Sequence, residues 1–327
     1  MTKIAIILLN WKGADDTIDC LMSIVAQKNI TAYQTVVVDN FSGDRSVERI
    51  TDFCQNADIA LERIKYDATT QSFSAARGDD ISKEHSVTLI EANENLGFCK
   101  GNNIGTEYAF MIGADAALIL NNDTTIAPDT VEKLVEASES LGPRTLISPQ
   151  ILYHNRPDSI WWCGGEFSTL LSPSYRFQGE PERNVPGDFS ETEWVSGCAT
   201  LISRELFDEI GLYDPVFFIW CEEWDLSLRA RSRGIALRVA PEALVYHKVG
   251  KSLGLVSPLT FFYSMRNMII LRRRYLSSLS RILFGSAYFP RKLLQAIRLS
   301  IKERRLIYLH AFLDAISDHR GGLWKRQ

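Results

Sequence analysis

The first half of the chain alternates between unbroken apolar runs and amphipathic stretches. "IAIILLN" (4–10), "TVVVDN" (35–40), "SVTLIE" (86–91) and "ALILNND" (117–123) lack the polar alternation of a half-exposed strand, so they predict strands buried on both faces. Between them lie helical patterns. One, capped by Asp15 or Asp16, carries Ile18, Leu21, Met22 and Val25 on one side, and another (46–56) carries Val47, Ile50, Phe53 and Cys54. A helix over 101–112 follows, and a fourth over 129–141 has Pro128 at its start and Gly142-Pro143 at its end. Strands and helices in this order predict an α/β fold with a doubly wound sheet flanked by helices.

Ligands of such sheets bind beyond the carboxyl ends of the strands. The pieces found there are Asn10-Trp11, Asp39-Asn40 and Asn121-Asn122-Asp123, all polar and all able to face one crevice. Residues 66–85 are polar and aperiodic and read as an excursion loop. After 150 the chain becomes irregular and aromatic (Trp161, Trp162, Phe167, Tyr175, Phe177), which suggests an acceptor cleft. Short helices are expected over 204–214, stopped by Gly211, and over 222–234, with Gly234 at the cap. Residues 235–247 read as two short strands. From Pro290 to Gly321-Gly322 the spacing predicts one long amphipathic helix with Leu294, Ile297, Ile301, Tyr308, Phe312 and Ile316 as its stripe.

Charge adds a division that periodicity does not show. The net charge is −4, but residues 266–327 hold 14 Lys/Arg against three acids, a balance of +11 that leaves the rest at −15. An acidic body argues against nucleic acid as a partner, and a basic tail suggests an anionic membrane surface; a homodimer or a core helix with a charged outer face is the competing reading. The expected division is therefore a body over 1–255, split into a nucleotide-binding half (1–125) and an acceptor half (126–255), and a basic amphipathic helical region over 256–327. The six cysteines have no metal-type spacing and read as buried thiols. No run reaches the roughly 18 apolar residues of a spanning helix, so the expected location is cytoplasmic, peripheral on the inner face of the plasma membrane.

Several residues could carry chemistry. Asp123, after a buried strand, can hold a hard divalent cation with help from neighbouring amide oxygens, or simply shape the turn before Pro128. In "CEEWD" (221–225), Glu222 and Glu223 point about 100° apart on a helix. One of them can serve as a general base if nearby aromatics desolvate it; otherwise both merely compensate the helix dipole. His247 can be a second metal ligand, more natural with Mn²⁺ than with Mg²⁺, or a hydrogen-bonded structural group. Lys248, Lys251 and Ser252 can bind phosphate or face water. "NENLGFCKGNNIG" (93–105) sets glycines and asparagines before a helix N-terminus, a geometry that offers backbone N–H groups to an anion.

In order, "ILLNWKGADDTIDCLMSI", "VVVDNFSGDRSVE", "ENLGFCKGNNIG", "LILNNDTTIAPD", "WVSGCATLISRELFDEIGLYDPVFFIWCEEWDLSLRARSRG" and "PEALVYHKVGKS" resemble the successive blocks of family 2 glycosyltransferases, in their rhamnosyltransferase-like branch. The resemblance covers about residues 3–270 and implies a GT-A-type mixed sheet with a C-terminal helical extension. It implies that Asp39 contacts the nucleotide base with Asn10 and Trp11 beside it, and that Asn95, Gly97, Phe98, Asn102 and Asn103 lie along a nucleotide-sugar. Asn121-Asn122-Asp123 stands where the family has its DxD motif; with Asn121 first, a divalent metal (Mg²⁺ or Mn²⁺) would rest on Asp123 and His247. Glu223 stands where the family base is usually an aspartate, with Glu222 its rival. Trp194 would border donor and acceptor, and Arg266 of "YSMRN" would clamp the diphosphate. The function implied is inverting transfer from a nucleoside-diphosphate sugar (dTDP-rhamnose first, UDP-sugars next) to a saccharide or lipid-linked acceptor in bacterial cell-surface polysaccharide synthesis. The rival is a non-catalytic nucleotide-sugar-binding subunit of an assembly complex.

Overall fold

The computed structural model describes residues 2–28, 33–74, 86–182, 185, 187–249 and 257–317. The body begins with β1 (Ile4–Asn10), α1 (Ala14–Val25), β2 (Tyr33–Asp39), α2 (Ser46–Asn56), β3 (Ala60–Asp67), β4 (Ser72–Phe73), β5 (Ser86–Ala92), α3 (Gly97–Met111) and β6 (Ala116–Asn121). It continues with β7 (Thr124–Ile126), α4 (Thr130–Leu141), β8 (Thr145–Tyr153), β9 (Arg156–Trp162), a small hairpin of β10 (Gly165–Phe167) and β11 (Pro173–Tyr175), then β12 (Ser190–Glu191) and β13 (Ala199–Ser203). The helices α5 (Arg204–Ile210) and α6 (Glu222–Ser232) precede the long strand β14 (Ala236–His247), and α7 (Pro258–Tyr275), α8 (Ser278–Glu303) and α9 (Ile307–Ser317) follow.

Among the described residues one sheet runs β12-β14-β8-β13-β6-β1-β2-β5-β3-β4, with β7 on β14 and β9 on β8. The pairs β1–β2, β1–β6, β2–β5, β3–β5 and β8–β14 are parallel, while β13 runs antiparallel between β6 and β8. The sheet is therefore mixed. The chain winds outward from β1 through β2 on one side and through β6 on the other, which makes the β1/β6 boundary the switch point where such sheets open a crevice. Register aligns the carboxyl ends there: Asn10 pairs with Asp39, and Leu9 with Asn121. β1, β2 and β6 are almost wholly buried, as their apolar runs require.

Several expectations are corrected. The segment 66–85 is not wholly a loop: β3 extends to Asp67 and β4 pairs with it, while 75–85 lie outside the described residues. β3 itself was not expected, because it alternates exposed and buried positions and carries Glu62, Arg63 and Lys65. The two strands expected over 235–247 are one, with a register shift between Ala240 and Leu244. Neither Asp15 nor Asp16 caps α1; Gly13 precedes it without a side-chain bond, and both acids lie in its first turn. Pro290 does not start the C-terminal helix but lies inside α8. Ser286 and Pro290 are both exposed, so water can serve the carbonyl that the missing proline N–H leaves free. Arg304, left-handed at φ 53°, then ends α8 and separates it from α9; Gly321-Gly322 lie outside the described residues. The helices α7–α9 share a core of their own (Phe261, Phe262, Met265, Ala296, Tyr308, Phe312), against which Phe218, Ile219 and Trp220 of the body pack.

Candidate active site

The switch-point crevice is floored by a closed polar network. Asn10, fully buried, donates through Nδ2 to Asp39 Oδ1 (2.7 Å) and Ser42 Oγ (3.1 Å), and its Oδ1 accepts from Thr17 Oγ1 (2.9 Å). Asp39 accepts further from the Ser42 hydroxyl (2.5 Å) and backbone N–H (3.1 Å). Asn122 Nδ2 donates to Thr17 Oγ1 (2.9 Å), tying the turn after β6 to α1. Buried polar groups must find partners or carry a desolvation cost, and here each amide holds a different strand end. Asn40 was expected here as part of Asp39-Asn40; Thr17 and Ser42 were not singled out from sequence. Trp11 is half exposed beside this floor.

Asn40 organises the start of α3. Its Oδ1 accepts from Leu96 N–H (2.8 Å), and its Nδ2 donates to Asn95 Oδ1 (3.1 Å), which itself accepts from Gly97 N–H (2.9 Å). The Cys99 N–H donates to Phe218 O (3.1 Å). The N–H groups of Leu96, Gly97 and Cys99 are thus spent within the protein, which corrects the expectation of an open anion cradle at 93–105. Gly97 has φ +72°, and a Cβ there would sit 2.4 Å from the Phe218 ring, so glycine lets the 216–221 loop lie against α3. Asn102 is buried and bonds Phe98 O, while Asn103 bonds both the N–H and the carbonyl of Tyr213. Phe98 packs on the Tyr213 ring at 5.7 Å. In this structure Asn103 and Phe98 brace the loop at Tyr213, while Asn102 bonds within α3.

Asp123 and His247 meet at the other side of the crevice, where β7 pairs with the end of β14. Asp123 Oδ1 is 3.3 Å from His247 Nε2, and both residues are buried. Burial would raise the Asp123 carboxyl, but the hydrogen bond and charge of His247, with Lys248 beyond, hold it below the usual carboxylate range. Burial opposes the proton on His247, yet Cys198 and Asp123 retain it and push the imidazole up to about 10. Burial keeps Cys198 a thiol at neutral pH, so the Asp123 carboxylate is the charged partner. Once a cation displaces the proton from His247, one carboxylate and one imidazole would fit Mg²⁺ or Mn²⁺, with diphosphate oxygens and water as the remaining ligands. Among the described residues no cluster of three His, Cys, Asp or Glu forms a closed metal cage. Lys248 bonds Asp16 (2.6 Å) and Asp19 (2.7 Å) on α1; Lys251 and Ser252 lie outside the described residues.

Glu222 and Glu223 open α6. Glu223 is partly exposed and Glu222 is buried, and the Oε2 atom of each is buried without a hydrogen-bond partner. Burial pushes Glu223 up to about 7; burial, then the neighbouring Glu223, drive Glu222 well above the carboxylate range. The third acid, Asp225, is structural: Arg229 (2.9 Å), Arg274 (2.8 Å) and the Tyr275 hydroxyl (2.9 Å) all bond its carboxylate.

The two acidic centres share one turn. A side chain on Gly197 would lie 3.7 Å from Glu222 Oε1 and 3.8 Å from Glu223 Cδ. The adjacent Cys198 bonds His247, and its carbonyl accepts from Asn121 N–H (2.8 Å). Aromatic rings run between them as well: Trp161 lies edge-on to His247 (4.5 Å) and to Tyr175 (5.9 Å), and Tyr175 to Trp194 (5.0 Å). The Tyr175 hydroxyl, raised by burial, feels both Glu223 and Cys198. Trp194 is buried against Gly165 and forms the wall's inner layer.

Phe218, Trp220 and Cys221, just before these glutamates, all have left-handed backbones, each costing roughly 1–3 kcal/mol unless its surroundings hold it. Asn267 holds them. Fully buried, its Nδ2 donates to the carbonyls of Phe217 (2.8 Å), Ile219 (2.6 Å) and Trp220 (2.8 Å). Arg266, also buried, bonds Val216 O (2.7 Å) and Asn267 Oδ1 (2.8 Å). The structure thus places Arg266 under the loop, bracing the backbone that leads to Glu223 from behind.

Polar strand ends at the switch point, and a carboxylate–imidazole pair joined by one turn to a raised carboxyl, sit on a GT-A glycosyltransferase fold. The profile described as "Glycosyl transferase family group 2" matches residues 117–316, and the chain belongs to that family of glycosyltransferases. Its relatives include the dTDP-rhamnosyl transferase RfbF of Shigella flexneri, 23% identical over 255 residues, covering 74% of this chain and 82% of that one. The N-acetylglucosaminyl-diphospho-decaprenol L-rhamnosyltransferase of Mycobacterium tuberculosis is 23% identical over 198 residues, covering 53% and 62%. Among solved structures, GalNAc-T7 with UDP, GalNAc and Mn²⁺ aligns at TM-score 0.64 and 14% identity, over 98% of this chain and 58% of that one. S. aureus TarS 1-349 aligns at 0.54 and 15%, over 96% and 81%.

Proposed function

We propose that the chain is an inverting rhamnosyltransferase that uses a nucleoside-diphosphate sugar, dTDP-rhamnose first and UDP-sugars next. The observation that carries this reading is Glu223: a carboxyl raised to about 7, with an unpartnered buried oxygen, one tight turn away from the Asp123–His247 pair. The names of RfbF and the decaprenol L-rhamnosyltransferase support the choice of sugar, and the second supports a lipid-linked acceptor. We extend the same reading to a role in bacterial cell-surface polysaccharide synthesis, with which a decaprenol-linked acceptor is in keeping.

Asp39 and Asn10 would order the base end of the donor, and the turn after β6 would face its diphosphate. Asp123 and His247 would hold a divalent cation, which when bound supplies positive charge to the departing diphosphate. Glu223 Oε2 takes the acceptor hydroxyl proton as the acceptor's own oxygen bonds to the anomeric carbon from the face opposite the diphosphate. The sugar–phosphate C–O bond breaks, its electron pair leaves with the nucleotide, and configuration inverts. A carboxyl near 7 is matched to this task, since half is free to accept a proton at neutral pH while its conjugate acid can later release it.

Glu223→Gln keeps the shape and removes the base. Sugar transfer should fall by about 10²–10⁴, with nucleotide affinity within about twofold of the parent. Turnover that survives this substitution would transfer the assignment to Glu222.

A further inference from the structure

The reaction makes no use of the outer face of α8. Leu279, Ile282, Leu283, Leu294, Ile297 and Ile301 recur at steps of three, four and their sums, so they share one side of the helix. All are exposed, Leu279 and Ile282 at 68% and Ile301 at 72%. The stripe extends about 33 Å at 1.5 Å per residue. The opposite side of α8 is already used: Ala296 and Ser300 are buried, and Tyr288, Phe289 and Leu299 pack into the α7–α9 core.

The exposed cations Arg291, Arg298 and Lys302 line one flank of the stripe, with Arg304 and Arg305 at its end. Glu303 accepts the Tyr308 hydroxyl (2.8 Å) and is the sole acid of α8. Where α8 turns into α9, a hollow of about 170 Å³ opens between Ile297, Ile301, Leu306 and Leu309, rimmed by Arg304 and Arg305. An apolar bed with guanidinium groups at its mouth has the chemistry of an acyl chain beneath an anionic headgroup.

We propose that α8 lies in the plane of an anionic lipid bilayer, its Leu279–Ile301 stripe at the acyl boundary and its flanking arginines on the headgroups. Charge complementarity selects this occupant: a second copy would bring the same five cations to the contact, and like charges would face one another. The inference is independent of the chemistry proposed above, because its test needs no turnover. The test uses the full chain, since α7 and α9 share a core and truncation would expose it.

Flotation with phosphatidylcholine vesicles, with and without 30% phosphatidylglycerol, reads the outcome directly. Binding should be at least tenfold tighter to the anionic vesicles and should weaken at 0.5 M NaCl. The double substitution Leu294→Glu/Ile297→Glu alters only exposed positions and should reduce binding at least tenfold with the thermal transition unchanged. Replacing Arg291, Arg298 and Lys302 by Gln should remove the preference for anionic lipid. Equal partitioning between the two vesicle types, or binding that survives the double substitution, overturns the proposal. So does absence of lipid binding together with a dimer in sedimentation velocity that the double substitution dissociates.

Discussion

The burial that would suit Glu223 to the proposed role of base should also weaken the fold that carries it. In the unfolded chain its carboxyl titrates near 4.5, and in the native protein near 7 because burial disfavours the ionised form. Between these values the folded protein holds a proton that the unfolded chain has released. Folding therefore binds more protons than unfolding, and stability must fall as pH rises through this window. At about 1.36 kcal/mol per pH unit the full penalty approaches roughly 3 kcal/mol above pH 7. Glutamine has nothing to ionise. Glu223→Gln should therefore match the parent to within about 1 kcal/mol at pH 5 and exceed it by about 3 kcal/mol at pH 8. Urea unfolding of the metal-free, nucleotide-free protein at both values measures this. A difference that does not grow with pH would mean that the native carboxyl is not desolvated, and the argument for it as a tuned base would go too.

Two further outcomes follow from the same geometry. Asp123→Ala should abolish the gain in nucleotide affinity that Mg²⁺ or Mn²⁺ provides, read by calorimetry with and without metal; an undiminished gain would place the cation elsewhere. Asn267→Leu removes one amide NH₂ whose two hydrogens three carbonyls of the left-handed loop share, about 1 kcal/mol per donor, and should lower kcat at least tenfold while nucleotide affinity is kept, because the loop leads to Glu223 and not to the strand-end floor. Parent-like kcat in a folded Asn267→Leu protein would show that the loop holds its course without that clamp.

The donor side was the more legible part of the chain. Strands buried on both faces must be apolar throughout, so polar residues at the ends of β1, β2 and β6 stand out, and the register does set Asn10, Asp39 and Asn121 on adjacent strands. Partners supplied by contacts distant in sequence were not legible. Nothing local marks Asn267 as the clamp of a loop some fifty residues earlier, and Arg266, expected from the resemblance to clamp the diphosphate, is buried and bonds that loop in the structure. Trp161 and Tyr175 stood out only as part of an aromatic stretch and Cys198 only as a buried thiol; their contacts with His247 and Trp194 come from the fold. β3 escaped because a strand next to the sheet edge, with charged exposed positions, resembles a loop. α8 escaped because proline ordinarily marks a helix start, a rule that fails where the abandoned carbonyl faces water.

The turn at Gly197-Cys198 has an implication for altering what the enzyme joins. One residue of it abuts the glutamates, and the next grips the imidazole and the strand end bearing Asn121. On the reading proposed above, recognition of the incoming alcohol and release of the spent nucleotide would both be geared to these few backbone atoms. Transplanting a foreign acceptor loop onto this scaffold would shift the gear unless the turn went with it, so new specificities should be sought as whole 194–198 cassettes rather than as single side chains.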